Sequence, residues 1–203
     1  MIEIRKNPIP SQKSKMEANF TIQAKGPLSD AFRGTGAGTF SLACGFVRRI
    51  PYRRNREKGN LLAIFHEQCG TCSSKHAALR QLAIENSFDE LELMIGVYRM
   101  NGLNTPKVSR VLKRHGIDHI PEAHGYLKYF GAIIDCTTLH SKGGDFKNDL
   151  LEEVTIEPVQ AADFKTAWHK NYLQNWLVQN AALSFGLRKL WQLREACIES
   201  LRK

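Results

Sequence analysis

Cys72, His124 and Asp135 are the residues of this 203-residue chain whose types and spacing suit covalent chemistry. Cys72 stands where Gly70-Thr gives way to Ser73-Ser-Lys-His-Ala-Ala-Leu79, a sequence that starts a helix. Free backbone N–H groups and the helix dipole at such a start favour a thiolate over a thiol, and the thiolate is the nucleophile. A nucleophilic cysteine also needs a base to share its proton and a group to orient that base. His124 and Asp135 are the candidates. A hairpin with a four-residue loop, Lys128 to Gly131, sets His124 opposite Asp135. A tight turn over Tyr129-Phe130 gives the same pairing but lacks the Gly or Asn such turns prefer. Side chains opposed in this way have Cβ atoms about 4.5–5.5 Å apart, within reach of an imidazole–carboxylate bond. A register shifted by two leaves the pair diagonal on one face.

Other chemistry competes for the same residues. Cys69-Gly-Thr-Cys72 is a C-x-x-C before a helix, the local signature of a thioredoxin-like redox site. Such a site wants a proline leading into a strand downstream. Pro106 instead precedes Lys107-Val-Ser-Arg-Val-Leu112 at helical spacing, and the redox reading leaves His124 and Asp135 without a role. A zinc site from Cys69, Cys72, His76 and either Cys44 or His66 lacks the second C-x-x-C or paired histidine that structural zinc usually shows. Gly34-Thr-Gly-Ala-Gly38 has neither a strand before it nor a ribose-binding acid after it, so it reads as a connector. His76 reads as a polar or packing residue one turn beyond Cys72. Cys44, Cys136 and Cys197 read as buried thiols.

The elements that must position these residues follow from periodicity and caps. Residues 1–35 read as an N-terminal extension, with Ile2, Ile4 and Asn19–Gln23 as candidate edge strands. Thr39 is an N-cap for a helix that buries Leu42, Ala43, Phe46, Val47 and Ile50 and ends at Pro51. Leu61–Phe65 fits either helix or strand. A helix runs from Ser73 to about Asn86, and Leu91–Tyr98 alternates as a strand does. Asn104-Thr-Pro106 opens a helix reaching about His115. Extended runs follow over 124–129, 131–138 and 153–157. From Ala161 the chain is helical in two pieces, broken near 184–186, with Trp168, Trp176 and Trp191 spaced for packing onto the core. The class is α+β: a core over 36–160 and a C-terminal helical pair over 161–203 packed on it.

Composition narrows the field further. Hydrophobic residues make up 42% and charged residues 24%, enough for a buried core. No apolar run approaches the roughly 18 residues a membrane span needs, and the first 25 residues show no secretory signal. Five cysteines without a regular spacing suit a reducing, cytoplasmic setting. The net charge of +9 is concentrated in Arg48–Lys58 and Lys107–Arg114. Neither run is interleaved with aromatics for base stacking, so a solvated basic face is favoured over a nucleic-acid site.

Gly70-Thr-Cys72-Ser-Ser-Lys-His-Ala-Ala-Leu79, Glu122-Ala-His124-Gly-Tyr126 and Ile134-Asp135-Cys-Thr137, in that order, resemble the transglutaminase-like superfamily within the papain-like cysteine enzymes. The resemblance covers about residues 39–140. It implies a papain-like core with the nucleophile helix packed on an antiparallel sheet, Cys72 as nucleophile, His124 as general base and acid, and Asp135 as the orienting carboxylate. Two departures stand out: the His-to-Asp segment is short, and Gly125 replaces an aromatic that usually follows the histidine. The Cys72 backbone N–H is a natural oxyanion donor, with Gln68 or His66 as candidates for a second. The implied activity is acyl transfer or amide hydrolysis on a peptide, protein or small amide or ester, with an anionic donor suiting the basic charge. No cofactor and no metal is expected. The rival is a non-catalytic binding or scaffold module of the same fold. A closed Cys72 favours the module, and an open groove with Cys72 beside the His124 ring favours the enzyme.

Overall fold

A computed structural model of the chain describes residues 17–181 and 183–201. Seven helices and four strands alternate along these residues: α1 (Pro27–Gly34), α2 (Phe40–Arg49), α3 (Ala63–His66), α4 (Cys72–Glu85), β1 (Leu91–Asn101), α5 (Ser109–Arg114), β2 (His119–Tyr129), β3 (Ala132–Ile134), β4 (Leu150–Ile156), α6 (Asp163–Gln179) and α7 (Leu187–Ser200). The strands form one antiparallel sheet in the order β3-β2-β1-β4, so the class is α+β.

Local chemistry accounts for the ends of the helices that matter most. Thr39 accepts a hydrogen bond from the Leu42 N–H and so caps α2, as its position predicts. At α4 the Thr71 hydroxyl accepts from Ser74 N–H while the Ser74 hydroxyl accepts from Thr71 N–H, a reciprocal capping box. The box makes Cys72 the first residue of α4. Helix α4 is buried on nearly every side, by Lys75, His76, Ala77, Ala78, Leu79, Leu82 and Ala83, because α1 and α2 cover one flank and β1 and β2 the other. The principal core joins Leu28 and Phe32 of α1, Phe40 and Val47 of α2 and Leu79 and Leu82 of α4 to Leu93, Ile95 and Leu127 of the sheet. A second cluster, built on Met100, Leu112 and Ile120, is closed by Leu173 of α6 and by Leu190 and Leu193 of α7.

Several expectations need correction. The β2–β3 pairs are Leu127 with Ile134, Lys128 with Ile133 and Tyr129 with Ala132, a register two residues away from the one that opposes His124 to Asp135. The loop is two residues, Phe130-Gly131, with φ of 45° and 77°. Left-handed conformations at both central positions match the twist of the flanking strands, which a four-residue loop does not require. Strand β2 starts at His119 and β3 ends at Ile134, because the Asp135 carboxylate accepts the Thr137 N–H and turns the chain out of the sheet. Residues 61–65 turn into the short α3, and the stretch after Pro106 begins as a 3-10 turn before α5. Residues 27–34, expected within an extension, form α1, whose N-terminus is capped by the Glu85 carboxylate. Over 19–23 there is no strand, only an isolated bridge between Thr21 and Thr39. Ile2 and Ile4 lie outside the described residues.

Candidate active site

Cys72, His124 and Asp135 come together where α4 begins, the β3 ladder ends and the free edge of β2 starts. His124 sits on β2 opposite Gly96 of β1, beyond the reach of β3. Its Nε2 lies 2.9 Å from Asp135 Oδ2, so the diagonal register still makes the bond. The other carboxylate oxygen accepts the backbone N–H of Thr137 at 2.9 Å, which fixes the carboxylate plane. With Nε2 taken by Asp135, Nδ1 is the ring nitrogen left for Cys72. The ring packs against Phe146, 5.0 Å away, and Tyr98 and Tyr126.

The charges reinforce one another. Burial pushes the Cys72 thiol up, but Lys165, the charge and hydrogen bond of His124 and the Gly125 N–H outweigh it and hold the thiol well below its ordinary range. Burial opposes charge on His124 too, yet Asp135 and Cys72 raise its pKa to about 10. Burial also works against the Asp135 carboxylate, while His124 and the bond with Thr137 keep it well below the usual carboxylate range. The favoured state is a thiolate, an imidazolium and a carboxylate in sequence.

A second layer of buried polar groups locks the frame, and the sequence reading missed its role. His76, one turn along α4, accepts the Cys136 N–H at Nε2 and therefore carries its proton on Nδ1, which donates to the Cys72 carbonyl; both distances are 2.7 Å. It thus clamps α4 to the segment carrying Asp135. Lys75 is fully buried and donates to the carbonyls of Ile50 and Thr137, each at 2.7 Å. Burial brings its pKa down to about 8. Arg48, counted above with the basic run, donates to the Asp135 carbonyl at 3.1 Å. Gly125 has no aromatic to offer because α4 lies directly on it: a Cβ there would stand 3.3 Å from Ser73 Cα and 3.4 Å from its nitrogen. The helix start and the strand touch backbone to backbone.

Lys165 is the largest omission. It comes from α6, and its Nζ lies 3.3 Å from Cys72 Sγ and 2.9 Å from Ser73 Oγ. Nothing distinguishes it in sequence from any other helical lysine. A cavity of about 710 Å³ opens beside it, walled by Tyr52 and Asn55 of the Arg-rich connector, Ser73 of α4, Lys165 and His169 of α6 and Trp191 of α7. The wall stops short of Cys72, which is 4% exposed. The connector is held against the start of α4 by hydrogen bonds from Gly70 N–H to Pro51 and from Arg53 N–H to Gly70.

The other candidates are placed differently. Gln68 donates its amide to the Phe65 carbonyl and His66 is exposed, and neither borders this cavity. Cys69 is fully buried, its carbonyl held by Asn55 at 2.9 Å. Pro106 leads into helix, and an all-antiparallel sheet has no parallel β-α-β crossover of the kind a thioredoxin-like site uses. Among the described residues no group of three His, Cys, Asp or Glu side chains is arranged to hold a metal, and no helix is long and apolar enough to cross a membrane. All five cysteines are free thiols and buried. No protein family, curated protein or solved structure matches the chain.

Proposed function

We propose that the chain is a thiol-dependent acyl-transfer or amide-hydrolysing enzyme on a papain-like, transglutaminase-like core, working through Cys72, His124 and Asp135. The observation that carries this is the His124 ring, bonded through Nε2 to Asp135 at 2.9 Å, with the charges of His124 and Cys72 each favouring the other. The Cys72 thiolate attacks an amide or ester carbonyl. The His124 imidazolium protonates the leaving group as the thioester forms. Neutral His124 then takes a proton from water or an amine, which attacks the thioester and frees Cys72. Asp135 keeps the ring oriented and stabilises its charge. Five free thiols suit a compartment that keeps thiols reduced, such as the cytoplasm. A peptide, protein or small amide or ester is the substrate class, and an anionic donor suits the net charge of +9.

The pH window follows from the shifts. The nucleophile is lost as pH falls through the lowered thiol pKa, and the acid that protonates the leaving group is lost as pH rises through about 10. The test is the pH dependence of Cys72 alkylation by iodoacetamide, mapped by peptide so that the other four cysteines are read separately. Rapid labelling well below the ordinary thiol pKa of about 8.5 is expected, with the midpoint moving up in His124→Ala. A wild-type midpoint near 8.5, unmoved by the mutation, overturns the proposal.

A second reading has one observation in its favour. Cys72 is 4% exposed, with Lys165 across its sulfur, as a non-catalytic binding module permits. That module has no use for a thiolate stabilised from three directions, and the alkylation profile separates the two.

A further inference from the structure

The ammonium of Lys165 bridges Ser73 Oγ and Cys72 Sγ; among the described residues no carboxylate lies within 4.0 Å of it, and the nearby buried Glu122, which also feels its charge, is bonded to Arg194. Lys165 and Ser73 both line the cavity, so the ammonium joins the cavity wall to the thiol behind it. Attack on a carbonyl forms the S–C bond and sends the π pair of the C=O to oxygen. Negative charge therefore leaves sulfur and reappears on the oxygen, one bond beyond the carbon that sulfur has joined. A cation already 3.3 Å from Sγ, on a flexible four-carbon stem, needs only a small swing to stay beside that charge. The Cys72 backbone N–H, at the first position of α4, is a donor on the same residue with no partner inside the helix. The side chains of Gln68 and His66, the other candidates for a second donor, are directed elsewhere.

We propose that Lys165 is a catalytic residue: its ammonium holds the Cys72 thiolate and then, together with the Cys72 N–H, receives the oxyanion of the tetrahedral intermediate. The assignment rests on the acyl-transfer reading of Cys72. Collapse of the intermediate restores the C=O, expels the leaving group and leaves the thioester, and Lys165 gains and loses no proton. The alternative is a plug, a lysine that merely blocks the thiol until a partner moves α6.

Two electrophiles separate these roles on the full-length protein. Iodoacetamide alkylates Cys72 without forming an oxyanion, whereas p-nitrophenyl acetate acylates it through one and releases a leaving group that needs no proton from His124. Wild type, Lys165→Met and Lys165→Arg are compared across pH, with circular dichroism and thermal midpoints confirming that each is folded. In Lys165→Met the alkylation midpoint is expected to rise. Its plateau acylation rate is expected to fall by about 10²–10³-fold, the usual effect of losing one oxyanion donor, while plateau alkylation changes little. Lys165→Arg keeps the charge and is expected to recover a large part of both. Faster reaction of Lys165→Met with both reagents establishes the plug and overturns the proposal. Equal loss with both reagents, or no change with either, also overturns it and leaves the acyl-transfer reading intact. A wild type that p-nitrophenyl acetate does not acylate at Cys72 defeats the acyl-transfer reading itself, and this inference with it.

Discussion

At the scale of single residues, the site depends on a close approach that a side chain at position 125 would crowd. Gly125 gives its N–H to the thiolate, and its missing side chain lets the first turn of α4 rest on β2. Its surroundings are backbone atoms of Cys72 and Ser73, which cannot rotate away as a flexible side chain would. Gly125→Ala is therefore expected to destabilise the fold by about 1–3 kcal/mol through overpacking. The alkylation midpoint of Cys72 is expected to rise in the same variant, as the N–H moves off the sulfur. Urea denaturation and the iodoacetamide profile check the two effects. Near-wild-type stability with an unchanged profile would mean that α4 slides along the strand without loss.

Between elements, the decisive link is the ion pair of Glu122 on β2 with Arg194 on α7. Arg194 Nε donates to Glu122 Oε2 at 2.8 Å and Nη2 donates to Oε1, with both side chains buried. Burial opposes the Glu122 charge, but the Arg194 guanidinium brings its pKa down to about 2. Because the folded value is depressed, the stabilisation is complete above the unfolded glutamate pKa of about 4.3 and disappears as pH falls towards 2. Arg194→Leu leaves a buried carboxylate unpaired, which is expected to cost roughly 3–5 kcal/mol. The double variant with Glu122→Leu removes both charges and is expected to recover much of that loss. Chemical denaturation of the three variants at pH 7 checks this. A double variant no more stable than Arg194→Leu would show that the pair stabilises by geometry and not by relieving a stranded charge.

For the molecule as a whole, the helical pair α6 and α7 is more than an accessory to the core. It closes the second apolar cluster over Met100, Leu112 and Ile120, supplies Lys165 to the site and forms one wall of the cavity. The basic run is also partly spent in holding the structure: Arg48 goes to Asp135, Arg53 to the Glu67 carbonyl and Arg54 to Glu195 on α7. All three tryptophans, Trp168, Trp176 and Trp191, lie in α6 and α7, so tryptophan fluorescence reports on this pair, while far-ultraviolet circular dichroism reports on the whole chain. The two signals are expected to give one coincident urea transition, as a single cooperative unit requires. An earlier fluorescence transition would make the helical pair a separate unit.

What the sequence determined by itself is whatever rests on neighbours a few residues apart. The Thr39 cap, a helix from about Ser73, a strand over 91–98 and the break between α6 and α7 are local hydrogen bonds and local periodicity. They placed Cys72 at a helix start, with His124 and Asp135 on consecutive extended segments. Tertiary structure alone decided the rest. The β2–β3 register turns on Phe130, a residue whose type does not announce a left-handed conformation. The clamp of His76 on Cys136 spans 60 residues and the reach of Lys165 to Cys72 spans 93. Such contacts follow from how α4 and α6 pack, and packing sums the demands of many distant side chains that no short stretch of sequence displays.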